Sequence, residues 1–322
     1  MAINCLRCRK QPSMNDPNPD TEAPTAWKRL SDRVAAQHWP APALYVVATP
    51  IGNLGDLTLR AWQALSRCDV IAAEDTRSSR PLLDAWGVDT PLMAAHRHNE
   101  AAAAQAIVQR LEAGERVALI SDAGAPAVSD PGARIVRAVR EAGFPVVPVP
   151  GASAVIAALM ASGVTSDENP AFVFAGFAPH KGGARRKWLQ QWCASPAPVL
   201  MFESPHRVQA TVGDLLAVCG GARQVTIARE LTKRFEQVET LPLAQAQAWL
   251  SEDAHRNQGE FVLIVHEAPA AAAGAVDEQT AALLDALLET VSVRDAAKVA
   301  AKVSGVPRDV LYELALQRGK RS

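Results

Sequence analysis

The stretch ALISDAGAPAVSDPGARIV, residues 118–136, opens as an apolar run and breaks abruptly into Ser121, Asp122, Gly124 and Pro126. Small and β-branched residues that give way to Ser, Asp, Gly and Pro read as a buried strand ending in a loop that cannot be helical. A second turn of the same kind, Asp-Pro-Gly, follows Asp-Ala-Gly at 130–132, and a helical pattern runs from it to Gly143. Strand, loop and helix in that order are the unit of a parallel α/β sheet, and the loops at the carboxyl ends of its strands carry the sites of such folds.

The unit repeats outward from this stretch. LYVVA (44–48), VIAA (70–73), RVALI (116–120) and PVVPV (145–149) are short apolar runs, and the spacing predicts helices over 57–68, 99–114 and 130–143. A second set follows in AFVFAGF, VLMFE, QVTIAR and EFVLIVHE, with helical stretches at 185–193, 207–219 and 243–251. The expected fold class is therefore α/β, with an N-terminal α/β domain over 44–166 and a second α/β domain over 167–268. Residues 1–43 are rich in Pro, Asn and Asp and read as a mobile extension, whereas 269–322 read as a linker and a small C-terminal helical segment. In that segment two amphipathic helices meet at Gly305; the spacing suits a helix-turn-helix, and equally a hairpin that packs on the body or on a second copy.

The 322 residues are 48% hydrophobic and 21% charged with a formal net charge of -1, enough apolar material for a substantial core in two domains. Near-neutral charge argues against bulk adhesion to nucleic acid but leaves room for local basic patches. Five cysteines, odd in number and scattered, fit a reducing cytoplasm. Cys5-x-x-Cys8 lacks a second pair nearby, so no metal is assigned. No run approaches the ~20 apolar residues of a membrane span, and the expected location is the cytoplasm with no membrane partner. A Walker loop, a G-x-G-x-x-G fingerprint, G-x-S-x-G and H-E-x-x-H are all absent, which removes the simplest nucleotide and hydrolase readings.

What remains is a series of loops after apolar runs. TPIGN (49–53) is a turn whose glycine lets backbone approach a ligand, or only a strand-to-helix connection. AAEDTRSSR brings together Glu74, Asp75, Arg77 and Arg80, either as a salt-bridged N-cap or, with His96, Arg97, His98 and Asn99 of AAHRHNE, as donors for phosphate or sugar hydroxyls. FAPHKGGARRK places His180, Lys181, Arg185, Arg186 and Lys187 around two glycines at a helix start, suited to a phosphodiester backbone or merely solvated. MFESPHRV and IARELTKRFEQVET put Glu203, His206, Arg207, Arg229, Glu230, Lys233 and Glu236 beside buried strand ends, where charges must pair with each other or serve a ligand.

Taken in order, TPIGN, AAEDTR, H-x-HNE, SDAG-x-P-x-x-SDPG, PG-x-SA, GF-x-P-x-K, ESPHR, RELTK and GE-x-VL-I resemble the ribosomal RNA small subunit methyltransferase I family of the tetrapyrrole methylase-like superfamily. The resemblance runs from about Leu44 to the C-terminus. It implies two α/β domains of the tetrapyrrole methylase type with a cofactor cleft between them, S-adenosyl-L-methionine as cofactor, and 2'-O-methylation of a cytidine in the decoding region of 16S rRNA. It further implies 16S rRNA or the small ribosomal subunit as partner, and a homodimer. The implied cofactor-binding residues are Pro50, Asp122, Gly124, Ala125, Val128, Ser129, Ser153, Ala154, Gly259 and Glu260. The family usually has Thr where Ala125 stands, so any hydroxyl from that position is missing here while backbone contacts would survive.

Methyl transfer from a sulfonium to a ribose hydroxyl is an in-line displacement that needs alignment and help for the forming alkoxide. The expected catalytic candidates are Glu203, His206, Glu230 and Lys233, with His98 and Glu74 behind them. Substrate RNA would meet Arg77, His96, His98, Asn99, Lys181, Arg185 and Arg186. Two other readings compete: a sibling that methylates a tetrapyrrole carbon, and a non-catalytic nucleic-acid-binding module.

Overall fold

A computed structural model describes residues 25–268, 276 and 278–319. Contacts divide the chain into two compact units, the first holding Leu54–Ala152 and the chain up to Pro50, the second Ile51–Asn53 and Ser153–Ser322.

The first unit is a five-stranded sheet of β1 (Ala43–Val47), β2 (Val70–Ala73), β3 (Leu92–Ala94), β4 (Arg116–Ile120) and β5 (Val146–Val149), in the order β3-β2-β4-β1-β5. Every pairing is parallel, so both faces need helices, and alternate residues of each strand serve opposite layers. One face buries Tyr45, Val47, Ile71, Ala118 and Ile120 against α2 (Leu59–Arg67) and Leu83 of α3 (Thr76–Ala85). The other buries Leu44, Val70, Val117 and Leu119 against α4 (Glu100–Glu112) and α5 (Ala133–Glu141). Each fully buried Leu, Ile or Val side chain contributes about 1.5–3 kcal/mol. From the adjacent strands β1 and β4 the chain crosses in opposite directions, to β2 and to β5, so their loops diverge; this is the topological switch point.

The helix starts follow from local chemistry. Thr58 accepts from the Ala61 N–H at 3.0 Å to cap α2, and Asp75 accepts from the Arg77 N–H at 2.8 Å to cap α3. No residue of its own caps α5; the Glu100 carboxylate of α4 reaches across to the N–H groups of Gly132 at 2.9 Å and Arg134 at 3.1 Å.

The second unit has a mixed sheet, β6 (Val173–Phe177), β7 (Val199–Glu203), β10 (Phe261–Val265), β8 (Gln224–Arg229) and β9 (Gln237–Pro242), in that spatial order. Only β6 and β7 are parallel; β10 runs antiparallel to both its neighbours, and β8 and β9 form a hairpin. Helices α7 (Gly182–Trp192), α8 (Val208–Cys219) and α9 (Leu243–Glu252) cover one face, whose core includes Leu189, Met201, Val212, Leu215, Ile227 and Leu263. Helix α6 (Ala154–Ser162) lies on the other, with Val155 and Ala158 against Leu200, Ala228, Val262 and Ile264. The compact units therefore part at Ala152, ahead of the expected boundary at 166, because α6 buries its apolar side on the second sheet.

Two further differences concern the chain ends. The stretch read as an extension to residue 43 contains a helix, α1 (Ala26–Ala35), capped by Thr25; residues 1–24, with Cys5 and Cys8, lie outside the described residues, as do 269–275 of the expected linker. The C-terminal segment holds three helices where two were expected, α10 (Glu278–Leu288), α11 (Val293–Ser304) and α12 (Arg308–Gly319), around a small core of Leu284, Ala296, Ala297, Ala300, Leu311 and Ala315. Gly305 ends α11 in the left-handed conformation, as the sequence pattern required. Among the described residues no helix is long and apolar enough to cross a membrane, and no group of His, Cys, Asp and Glu has metal-holding geometry.

Candidate active site

In the first unit the quoted loops leave the carboxyl edge of one parallel sheet, which is where ligands bind in such folds. TPIGN follows β1, the Glu74–Asp75 pair follows β2, His96 to Asn99 follow β3, the SDAG loop follows β4 and Pro150–Gly151 follow β5. Two of these loops are joined at the switch point. Thr49 and Gly124 form an antiparallel bridge, with Thr49 N–H donating to Gly124 O at 2.9 Å and Gly124 N–H to Thr49 O at 3.1 Å. Pro50 is buried beside the bridge. Gly124 has φ 80°, and the non-glycine Ala127 and Ser129 also sit at positive φ, 68° and 65°. Two residues in the left-handed region within one loop store strain of the order of 1–3 kcal/mol each, the kind of cost that persists at ligand-binding loops. Val128, between them, is exposed, while Ala125 accepts the Val128 N–H through its carbonyl.

A group of carboxylates lies behind that loop. The Asp75 N–H donates to Asp122 Oδ1 at 3.1 Å. Burial raises the Glu74 carboxyl above its usual range, opposed by the Asp122 N–H and by Arg97. Asp130, from the SDPG that follows SDAG, is pushed up to about 6, by burial first and then by the charge of Glu74, with Asp122 adding to it and Ser121 opposing. Asp130 was absent from the sequence-based candidates; the repeated Ser-Asp at 129–130 is the signal that pointed to it.

The RNA candidates of this unit divide. Arg77 pairs with its neighbour, Nη2 2.9 Å from Asp75 Oδ2, in a salt-bridged cap that leaves its side chain 89% exposed. His96 and His98 are exposed with ring centroids 6.1 Å apart. Asn99 donates to the Ala94 carbonyl at 3.0 Å, and its buried Oδ1 has no partner among the described residues.

In the second unit most of the charged candidates pair. Glu203 was a catalytic candidate, but its side chain is 0% exposed. It accepts from Thr211 Oγ1 at 2.6 Å, Arg207 Nη2 at 3.2 Å and the Ser204 N–H at 2.8 Å. A carboxylate so enclosed supports Arg207 and has no exposed surface of its own. Arg185, expected on RNA, is likewise buried: its Nε donates to Asp214 Oδ2 at 2.7 Å. Arg186 donates to Asp214 Oδ1 at 3.0 Å yet keeps its side chain 55% exposed, and Lys181 and His206 are exposed. Arg229, also buried, holds four acceptors, the carbonyls of Phe235, His255 and Gln258 and the Gln237 amide.

Glu230, Lys233, Gly259 and Glu260 do come together. Lys233 Nζ lies 2.9 Å from Glu230 Oε1 and 2.6 Å from Glu260 Oε2, and the Glu260 N–H donates to Glu230 Oε1 at 3.1 Å. Burial pulls the Lys233 ammonium down, but the bonds to Glu260 and Glu230 outweigh it and leave it above its ordinary value. Burial raises Glu230, and Lys233 together with the Glu260 N–H more than reverse that, leaving it lowered. Both are therefore ionised at neutral pH. The turn is tightly built: Glu230 and Thr232 have φ 51° and 66°, a Cβ on Gly259 would stand 2.3 Å from Glu230 Oε1, and one on Gly52 2.4 Å from Lys233 Cγ. Ser153 and Ala154 open α6, whose N-cap Ser153 makes no side-chain capping bond.

Comparison with known proteins places this arrangement. The family Tetrapyrrole (Corrin/Porphyrin) Methylases matches residues 43–247, and the RsmI C-terminal HTH domain matches 274–319. A protein of Pseudomonas aeruginosa named ribosomal RNA small subunit methyltransferase I is 43% identical over 284 residues, 88% of this chain and 99% of that one. One of the same name from Escherichia coli O157:H7 is 44% identical over 85% of this chain and 95% of its own length. Among solved structures, a uroporphyrin-III C-methyltransferase from Thermus thermophilus, complexed with S-adenosyl homocysteine, aligns with TM-score 0.50 at 16% identity over 69% of this chain and 97% of that one, a likeness of fold. The chain belongs to the ribosomal RNA small subunit methyltransferase I family, within the tetrapyrrole methylase fold.

Proposed function

We propose that this methyltransferase uses S-adenosyl-L-methionine to methylate the ribose 2'-hydroxyl of a cytidine in the decoding region of 16S rRNA, acting in the cytoplasm as a homodimer. The observation that supports it most is the match to relatives of that name along nearly their whole length, the C-terminal helices included. The fold's solved neighbour with S-adenosyl homocysteine supports the cofactor, and the strained SDAG loop at the switch point suits it: Gly124 and Ala125 would hold its methionine end through their backbone, and Asp122 would offer charge to its ammonium. S-adenosyl-L-methionine supplies an electrophilic methyl on a sulfonium, whose departure leaves a neutral thioether. The chain's own task is then alignment and charge. Lys233, held protonated by Glu230 and Glu260, stabilises negative charge growing on the ribose oxygen rather than removing the proton. The proton passes to a nearby base, for which the exposed imidazole of His206 is the candidate.

The test is transfer of labelled methyl from S-adenosylmethionine to small subunits of a strain lacking this gene, with the modified nucleoside identified by mass spectrometry. The expected product is 2'-O-methylcytidine in the decoding region. Incorporation on a cytosine base, or none into subunits and free rRNA despite cofactor binding, overturns the reading.

A further inference from the structure

The loop between β6 and α7 carries an aromatic ring that the fold holds outward. Phe177, the last residue of β6, is 54% exposed. Its ring meets Phe202 edge-on at 5.4 Å between centroids, and Phe202 meets Phe174 at 4.8 Å. The exposed ring is thus seated on an aromatic stack.

The residues after it are clamped as well. Arg207, supported by the buried Glu203, donates to the carbonyls of Ala178 and Pro179 and stands 3.2 Å from His180 Nδ1. At the other end of the loop Asp214 ties down Arg185 and Arg186. Burying a carboxylate as fully as Glu203 costs several kcal/mol before its partners compensate. Here that carboxylate serves to fix a five-residue surface strip, Phe177 to Lys181. Exposed along this strip and the first two turns of α7 are Lys181, Lys187 and the outer part of Arg186. A seated, exposed aromatic followed within ten residues by exposed cations is a combination suited to an unstacked base and its flanking phosphates.

We propose that Phe177 is a base-stacking platform for a single-stranded segment of the RNA substrate, with Lys181 and Arg186 taking adjacent phosphates. The proposal rests on the rRNA reading above and names a surface for it. Stacking on such a ring accounts for about a 5- to 150-fold change in affinity.

The experiment uses the full chain and a fluorescent single-stranded pyrimidine-rich oligoribonucleotide, followed by anisotropy, with cofactor affinity and subunit methylation measured on the same preparations. Phe177→Ala and Phe177→Leu should each weaken oligonucleotide binding by about 10- to 100-fold and raise KM for subunits, with cofactor affinity unchanged; Phe177→Trp should bind like wild type. The Leu variant keeps apolar packing on Phe202, so a loss shared by Ala and Leu is a loss of the ring. Wild-type affinity in Phe177→Ala, equal weakness of Phe177→Trp, or a fall in sedimentation mass with RNA affinity unchanged overturns the platform, the last by assigning the ring to an interface between copies. Failure of the rRNA reading is separately visible: the wild type then methylates no subunit, whatever Phe177 does to oligonucleotide binding.

Discussion

Asp130 carries a cost that the fold accepts. Its carboxyl, at about 6 in the folded chain against an ordinary 3.8, binds a proton more readily folded than unfolded. Folded chains therefore hold more protons between those two values, and stability falls as pH rises from about 4 to about 6. At neutral pH the ionised Asp130 stands beside Glu74 and Asp122 and forms no ion pair among the described residues, whereas a sulfonium or ammonium brought to the SDAG loop would relieve the repulsion. Asp130→Asn should accordingly raise Tm at pH 7 by roughly 2–4 °C and weaken S-adenosylmethionine binding several-fold, and wild-type affinity for the cofactor should rise with pH through about 6. Thermal scans and calorimetric titrations from pH 5 to 8 check both. An Asn variant that is less stable and binds the cofactor normally would make Asp130 a structural residue.

At the scale of elements, the pairing of α7 with α8 rests on Arg185 and Asp214, both buried and 2.7 Å apart. Removing one partner strands the other, so Arg185→Met should cost about 3–5 kcal/mol, while the double variant Arg185→Met/Asp214→Leu should recover most of it; urea unfolding of the two measures this. The same pair shows where sequence reading stops. The run HKGGARRK announced a basic helix start, but nothing in it separates Arg185 from Arg186: their directions depend on Asp214 in a different helix. The enclosure of Glu203 was hidden for the same reason, since Thr211 and Arg207 surround it only once β7 meets α8. By contrast, β1, β2, β4 and β7 were legible because their apolar runs are buried on both faces, and the loops because Asp, Gly and Pro break those runs. Helix α3 was hidden by Pro81 in its middle, β3 by its three residues, and β9 by exposed Glu239 and Thr240 that carry no apolar alternation. The Lys233 cluster was legible as a list of charges, and its geometry was not, because it depends on positive φ at Glu230 and Thr232.

For the whole molecule, α6 poses a question of what covers it. Its inner side packs on the second sheet through Val155 and Ala158, but Ile156 and Met160, one turn apart on another side, are 47% and 82% exposed. A helix apolar all round is stable where it is covered all round, and a two-fold axis is the common way to cover such a side with its own copy. Burying these two side chains in a partner contributes about 1.5–3 kcal/mol each, so placing charge there should be decisive. We predict that the wild type sediments at about twice the 34.2 kDa chain mass at micromolar concentration and that Ile156→Lys/Met160→Glu sediments as a monomer with its thermal unfolding otherwise preserved. A wild type that is monomeric, or a double variant that remains dimeric, removes α6 from the interface. If the monomeric variant also loses subunit methylation while still binding S-adenosylmethionine, the second copy is needed to engage RNA, and the pairing that covers α6 is part of how the substrate is recognised.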